Sequence, residues 1–355
     1  MLLFKLIMGQ TLSEPVTTKD SSRCSNASFL VGSSCMQGWR IEMEDAHTHI
    51  LSLPDDPAAA FFGVYDGHGG AAVAKFAGKH LHKFITKRPE YFGSSIEMAM
   101  KRAFLDFDRE MLHNGSWGEQ MAGSTAIVVL IKEQRLYCAN AGDSRAIASV
   151  GGLVRPLSVD HKPSNESEVK RILAGGGRVE NNRVNGNLAL SRALGDFMYK
   201  RNTSKKPEEQ IVTADPDVIV CDVSDDWEFV VLACDGIWDV MSSIQVAEFV
   251  RERIAIGMQP DLICEHLMSY CLAPNTYNYG LGGDNMTVII VCMLHNKSYE
   301  ELMVRCGGSK PGGVGDIGPS LKCRNLPQAA ATWIMPDLAS LELGFADFVS
   351  FLLFV

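Results

Sequence analysis

Apolar runs of strand length, closed by glycine, asparagine or charged turns, recur along most of the chain: Ala59–Tyr65, Ile127–Ile131, Arg135–Ala139, Ala146–Val150, Leu153–Leu157, Val218–Val223, Phe229–Cys234 and Thr287–Met293. Their β-branched and aromatic content predicts strands. The short turns Lys132-Glu133-Gln134 and Gly151-Gly152 predict that Ile127 to Leu157 forms an antiparallel meander. Elsewhere the apolar period becomes helical. Val73, Phe76, Ala77, Leu81 and Phe84 line one face, and Ile96, Met100, Ala103, Phe104, Phe107 and Met111 line another behind a Ser94-x-x-Glu97 capping box. Ser242-x-x-Gln245 opens a further helix, and Glu166–Ala174 reads as a short one ended by Gly175-Gly176-Gly177. Paired helices between groups of strands predict an α+β fold with helices packed outside a β-sandwich.

Where these periods fade, the chain divides. Residues 1–27, polar and rich in Ser and Thr from Gln10 onward, read as a flexible leader. One folded domain is expected over 28–295, with 161–217 forming a surface flap. That flap carries Arg178, Arg183, Arg192, Lys200, Arg201, Lys205 and Lys206, a positive segment suited to an anionic substrate. Residues 296–355, glycine-rich over Gly307–Ser320, read as a linker and a poorly specified tail.

Composition narrows the class. At 355 residues, with 46% hydrophobic and 21% charged residues, the chain can bury a sizeable core. A net charge of -9 and a pI near 5.5 argue against nucleic acid as a partner. Cys138, Cys221, Cys234 and Cys292 lie in apolar runs with no Cys-x-x-Cys spacing, as expected of small buried hydrophobes in a reducing cytoplasm or nucleus. Met1–Ile7 is too short for a signal sequence and Phe348–Val355 too short to span a bilayer, so a soluble monomer is expected. Met8-Gly9-Gln10-Thr11-Leu12-Ser13 has the form of a myristoylation sequence if translation starts at Met8, which would add a weakly membrane-associated fraction.

The chemistry gathers at turns. Asp66-Gly67-His68-Gly69-Gly70 follows the apolar run ending at Tyr65, so a carboxylate and an imidazole stand together where a strand ends. Asp143, Asp235, Asp239 and Asp284 recur in similar settings, and Arg40 precedes Glu42, Glu44 and Asp45. Singly, each Asp-Gly or Gly-Asp is ordinary turn chemistry. Together, carboxylates at strand ends are how proteins hold hard divalent cations.

In order along the chain, Gly38-Trp39-Arg40 with Met43-Glu44-Asp45, Val64–Gly70, Ala122–Ala126, Asn140–Arg145, Ser191–Asp196, Ala233–Asp239 and Gly283–Thr287 resemble the motif set of the metal-dependent protein serine/threonine phosphatases of type 2C, most like the animal alpha/beta-type members. The resemblance implies a four-layer α/β/β/α sandwich with two Mn²⁺ or Mg²⁺ ions at one end, acting on phosphorylated proteins. Asp66 would be shared by both ions. Glu44, Asp45 and the Gly67 carbonyl would serve one of them, Asp235 and Asp284 the other, and Asp143 and Asp239 a looser third. A hydroxide held between the ions would attack phosphorus, Arg40 would hold the phosphate and His68 would protonate the leaving alkoxide. A non-catalytic binding module on the same fold and a hydrolase of small phosphoesters remain the alternatives. The helical extension of longer relatives is only faintly suggested by Ser298–Arg305.

Overall fold

The computed structural model describes residues 11–93, 95–113, 121–275, 281–308 and 323–324. One six-stranded sheet runs β1 (Thr11–Ser25), β2 (Phe29–Arg40), β16 (Met286–Met293), β15 (Trp227–Ala233), β9 (Arg145–Val150) and β10 (Leu153–Pro156). The other runs β17 (Cys323–Arg324), β14 (Asp217–Asp222), β8 (Arg135–Ala141), β7 (Ala126–Lys132), β4 (Ala59–Tyr65) and β3 (Ala46–Ile50). Every neighbouring pair in both sheets is antiparallel. Strands β15 and β16 face β4 and β7 across the sandwich. Every residue of β4, β15 and β16 is buried, because helices cover the outer faces; this is why these strands read as unbroken apolar runs.

Helices α1 (Ala72–Thr86) and α3 (Ile96–His113), joined by the short α2 (Pro89–Phe92), pack on the second sheet around Phe61, Phe104 and Phe107. The first sheet carries α5 (Asp235–Trp238), α6 (Ser243–Ala255), α7 (Pro260–Cys271) and α8 (Tyr299–Gly307) over Phe229, Val231 and Ile290. The result is the expected four-layer α+β architecture. Ser242 and Gln245 form the expected capping box at α6. At α3 the Ser95 hydroxyl accepts from the Met98 N–H, and Ser94 lies outside the described residues.

Several expectations change. The Ile127–Leu157 meander is two hairpins in different sheets, because the chain leaves β8 and crosses to β9 through Gly142-Asp143-Ser144. Residues 11–25, expected within a mobile leader, form the edge strand β1. Main-chain pairing with β2 orders them, and Ser21 and Ser22 hydroxyls bond Ser34 and Ser33 across the pair, so order here needs little apolar burial. The domain does not stop at 295 either: α8 buries Leu302 and Cys306 against α6. Gly9 and most of the tail from Ser309 onward lie outside the described residues. Cys138, Cys234 and Cys292 are buried free thiols, whereas Cys221 is disulfide-bonded. Among the described residues no helix is long and apolar enough to cross a membrane.

Between β10 and β14 the flap carries α4 (Glu166–Ala174) and a hairpin of β11 (Val179–Glu180) and β12 (Arg183–Val184), with a small core of its own around Ile172, Val184 and Val212. Much of its expected positive charge is neutralised locally. Arg192 pairs with Glu168 and Asp217, Lys200 with Asp108 and Arg178 with Glu180.

Candidate metal centre

Antiparallel register decides which loops meet. In one sheet Tyr65 is level with Ala46, and Ala126 with Ala141; in the other Ala233 is level with Arg145 and Met286 with Met36. One or two residues beyond these positions lie Asp66, Asp45, Asp143, Asp235 and Asp284, and Arg40 is the last residue of β2, four after Met36. The aspartates therefore leave the two sheets at matching ends, and Asp66 feels the charge of Asp235, Asp45, Asp284 and Asp143.

Local bonds fix this end. The Asp66 N–H donates to Thr125 Oγ1 at 3.1 Å, and the Thr125 N–H donates back to the Asp66 carbonyl at 2.9 Å. A Cβ on Gly67 would lie 2.3 Å from the Glu44 carbonyl oxygen, so only glycine lets the Asp66 turn approach the Glu44 loop. Asn285 ties that loop to the Asp284 turn: its Oδ1 accepts from the Glu44 N–H at 3.0 Å, and its Nδ2 donates to the carbonyls of Gln37 and Glu42. Glu44 Oε1 accepts from the Gly70 N–H at 2.5 Å. Asp235 lies in the first turn of α5, and Asp239 follows one turn later with its N–H on the Asp235 carbonyl.

The electrostatics are those of crowded like charges. Lost hydration pushes the Asp66 carboxyl well up, and Asp235, Asp45, Asp284 and Asp143 push it the same way. Asp235 is raised by lost hydration and then by Asp143, Asp284 and Asp239, with Lys162 opposing. Asp45 is raised chiefly by its burial. Two cations of the chain offset part of the charge: Arg40 Nη2 lies 2.5 Å from Asp284 Oδ2, and Lys162 Nζ lies 2.6 Å from Asp143 Oδ2.

Do these residues suit a divalent cation? Asp45 Oδ2 accepts from Thr287 Oγ1 at 2.7 Å, while its buried Oδ1 has no hydrogen-bond partner, as an oxygen reserved for a cation would be. The donors are hard oxygens and the local charge is in excess, which also fits Mn²⁺ or Mg²⁺. Among the described residues, however, no three His, Cys, Asp or Glu side chains are already grouped to hold one ion. Arg40 and Lys162 each bond one oxygen of a carboxylate in the set, Asp284 and Asp143 respectively.

His68 lies on β5 (Gly67–His68), in a three-stranded ribbon with β6 (Gly123–Ser124) and β13 (Leu194–Gly195). Its Nε2 is 2.7 Å from Asp196 Oδ2. Burial lowers the imidazole's basicity, but Asp196, Asp143 and Glu44 outweigh it and hold His68 above its ordinary range. Local sequence gives no sign that Asp196 or Lys162 serves the site, although Asp196 closes the Ser191–Asp196 motif. Lys162 follows Asp160-His161 at the mouth of the flap, and a cation there was legible only as a loop residue.

A family model described as protein phosphatase 2C matches residues 29–280, which stops short of Asp284. The chain is 57% identical over 299 residues to a probable protein phosphatase 2C of Caenorhabditis elegans, with 84% of each chain covered. It is 54% identical over 291 residues to protein phosphatase 2C homolog 3 of Schizosaccharomyces pombe, covering 81% of this chain and 70% of that one. The crystal structure of a phosphatase from Toxoplasma gondii matches with a TM-score of 0.67 at 28% identity, covering 79% of this chain and 96% of that one.

Proposed function

Because the chain belongs to the protein phosphatase 2C family and is a serine/threonine phosphatase, we propose that it hydrolyses phosphoserine and phosphothreonine esters of proteins at the acid-lined end of the sandwich. Two Mn²⁺ or Mg²⁺ ions, when bound, supply counter-charge for the phosphoryl oxygens and acidify a water. Asp66 would be shared between them; Glu44, Asp45 and the Gly67 carbonyl would hold one, Asp235 and Asp284 the other, and Asp143 and Asp239 a weaker third.

The chain's own groups do the remaining work. Arg40, 43% exposed at its side chain, leaves Asp284 to grip two phosphoryl oxygens through its planar fork. His68 gives a proton to the departing serine or threonine oxygen, which as a bare alkoxide leaves poorly. Lys162 keeps Asp143 partly neutralised until the ions enter. The single observation that carries this reading is the convergence of Asp66, Asp235, Asp284, Asp45 and Asp143 beyond strand ends of both sheets, with one Asp45 oxygen left unbonded. We further propose a cytoplasmic location with a nuclear fraction, and a membrane-associated fraction if Gly9 is myristoylated.

The test is phosphate release from a phosphoserine peptide by purified protein. Turnover is expected with Mn²⁺, lost with EDTA and restored by excess metal. Turnover insensitive to chelator would sink the metal mechanism, and no turnover of any phosphopeptide would favour a non-catalytic binding module.

A further inference from the structure

We propose that Asp196 is the positioning residue for His68, holding the imidazole by Nε2 so that Nδ1 is the nitrogen presented to the ester oxygen. The inference rests on the acid role given to His68 above.

The pair is built by more than one bond. His68 pairs with Gly123 in the short ribbon, and Gly123 pairs in turn with Gly195, so Asp196 follows a residue two strands from His68. A Cβ at Gly123 would lie 2.3 Å from Asp196 Oδ2 and 2.5 Å from His68 Nε2, so the missing side chain is the space in which the two meet. Asp196 takes φ 51°, a left-handed conformation that Asp and Asn tolerate better than most residues. Its N–H is tied to the Ala122 carbonyl at 3.0 Å. Behind it, Asp108 Oδ1 accepts from the Gly195 N–H at 2.7 Å and Asp108 Oδ2 accepts from Lys200 Nζ at 2.7 Å, fixing both flanks of the turn. The Asp196 side chain is 4% exposed and that of His68 21%, so the carboxylate is sealed inside while the imidazole keeps some contact with solvent.

A carboxylate on one ring nitrogen sets the tautomer and orientation at the other. With Nε2–H donating to Asp196, the Nδ1 proton passes to the ester oxygen as the P–O bond breaks. The serine hydroxyl departs, the ring stays neutral with Nε2–H still on Asp196, and solvent returns a proton to Nδ1.

Asp196→Asn suits the test, since Asn accepts the left-handed turn and preserves volume. The variant is expected to lower kcat on a phosphoserine peptide by about 10- to 100-fold, with KM within about twofold of wild type. On p-nitrophenyl phosphate, whose phenolate leaves without protonation, the loss should be much smaller. His68→Gln should show the same pattern, and the double variant should be no slower than His68→Gln alone. Imidazole ¹⁵N shifts in the metal-free wild-type chain should report neutral His68 protonated at Nε2, a readout that requires neither activity nor a folded variant. Equal losses on both esters, wild-type rates for Asp196→Asn beside an impaired His68→Gln, or an Nδ1–H tautomer in wild type would each overturn the positioning role alone. Wild-type turnover by His68→Gln would overturn the acid role itself, and the inference with it.

Discussion

Glu168 in the flap and Asp66 at the end of the sandwich are both carboxylates that folding removes from much of the solvent, yet the chain compensates them in opposite ways. Glu168, 1% exposed, accepts from Arg171 at 2.6 Å, Arg192 at 2.8 Å and Ser191 at 2.6 Å. Burial pushes its carboxyl up, but the Arg192 and Arg171 guanidinium groups outweigh that and pull it down to about 2. Around Asp66 the principal influences all point upward: lost hydration, then Asp235, Asp45, Asp284 and Asp143. A structural acid is closed by the chain's own cations. The acids at the sandwich end keep a surplus of negative charge, which is the condition for needing a cation from outside.

The comparison breaks most visibly in catalysis. Asp66→Asn or Asp235→Asn should cut kcat on a phosphoserine peptide by more than about 1000-fold, because the first removes the carboxylate proposed to be shared by both ions and the second a carboxylate proposed to hold one of them. The same substitutions relieve like-charge repulsion, so the melting temperature of the metal-free protein should rise or hold. A melting temperature that falls as far as that of a core variant would show that Asp66 is structural after all.

Glu168→Gln should behave in the reverse sense. Removing the carboxylate leaves the part-buried Arg171 and Arg192 without their shared counter-charge, with an expected loss of about 3 kcal/mol in a urea titration of the metal-free protein. The pH dependence has a definite sign. Glu168 has a folded pKa depressed from 4.5 to about 2, so its contribution is fully present above its unfolded value and is lost as pH falls through the folded one. Wild type should therefore lose stability more steeply than Glu168→Gln between about pH 4.5 and 2. Parallel curves would mean that the flap network is not what holds this region.

Much of this contrast was legible in sequence, and what was not has a common cause. The apolar runs and helical stripes fixed most strands and helices, and Asp66, Asp235 and Asp284 stood out because each adjoins an apolar run. Whether an acid is paired depends on residues far along the chain. His68 meets Asp196 across 128 positions and Arg40 meets Asp284 across 244. Local period carries no trace of such partners, so the flap's basic residues read as free charge although Arg192 and Lys200 are engaged. The same blindness split the expected meander, since Gly142-Asp143-Ser144 reads as a turn whether the chain stays in its sheet or crosses to the next. Strand β1 escaped because an edge strand can be held by main-chain pairing without an apolar face.

Metal binding without turnover sharpens the contrast. If the surplus charge near Asp66 awaits a cation, Mn²⁺ at about 100 times its Kd should stabilise the wild-type fold by about 2.7 kcal/mol. Asp66→Asn should lose most of that gain, whereas Glu168→Gln should keep it, because its defect lies in a region already closed by its own cations. Equal stabilisation of all three chains would place the ion elsewhere.

The smallest expected effect isolates burial from pairing. Glu166 and Lys170, one turn apart on the same helix as Glu168, form an ion pair of 2.6 Å with side chains 85% and 74% exposed. The chemistry matches that of Glu168 with its arginines, and the distance is as short. Solvent screens this pair and hydrates either partner left alone, so Glu166→Gln should produce no measurable change in melting temperature. If Glu166→Gln destabilised the protein as much as Glu168→Gln, ion pairing by itself would explain the flap, and the distinction between sealed and open carboxylates would lose its physical basis.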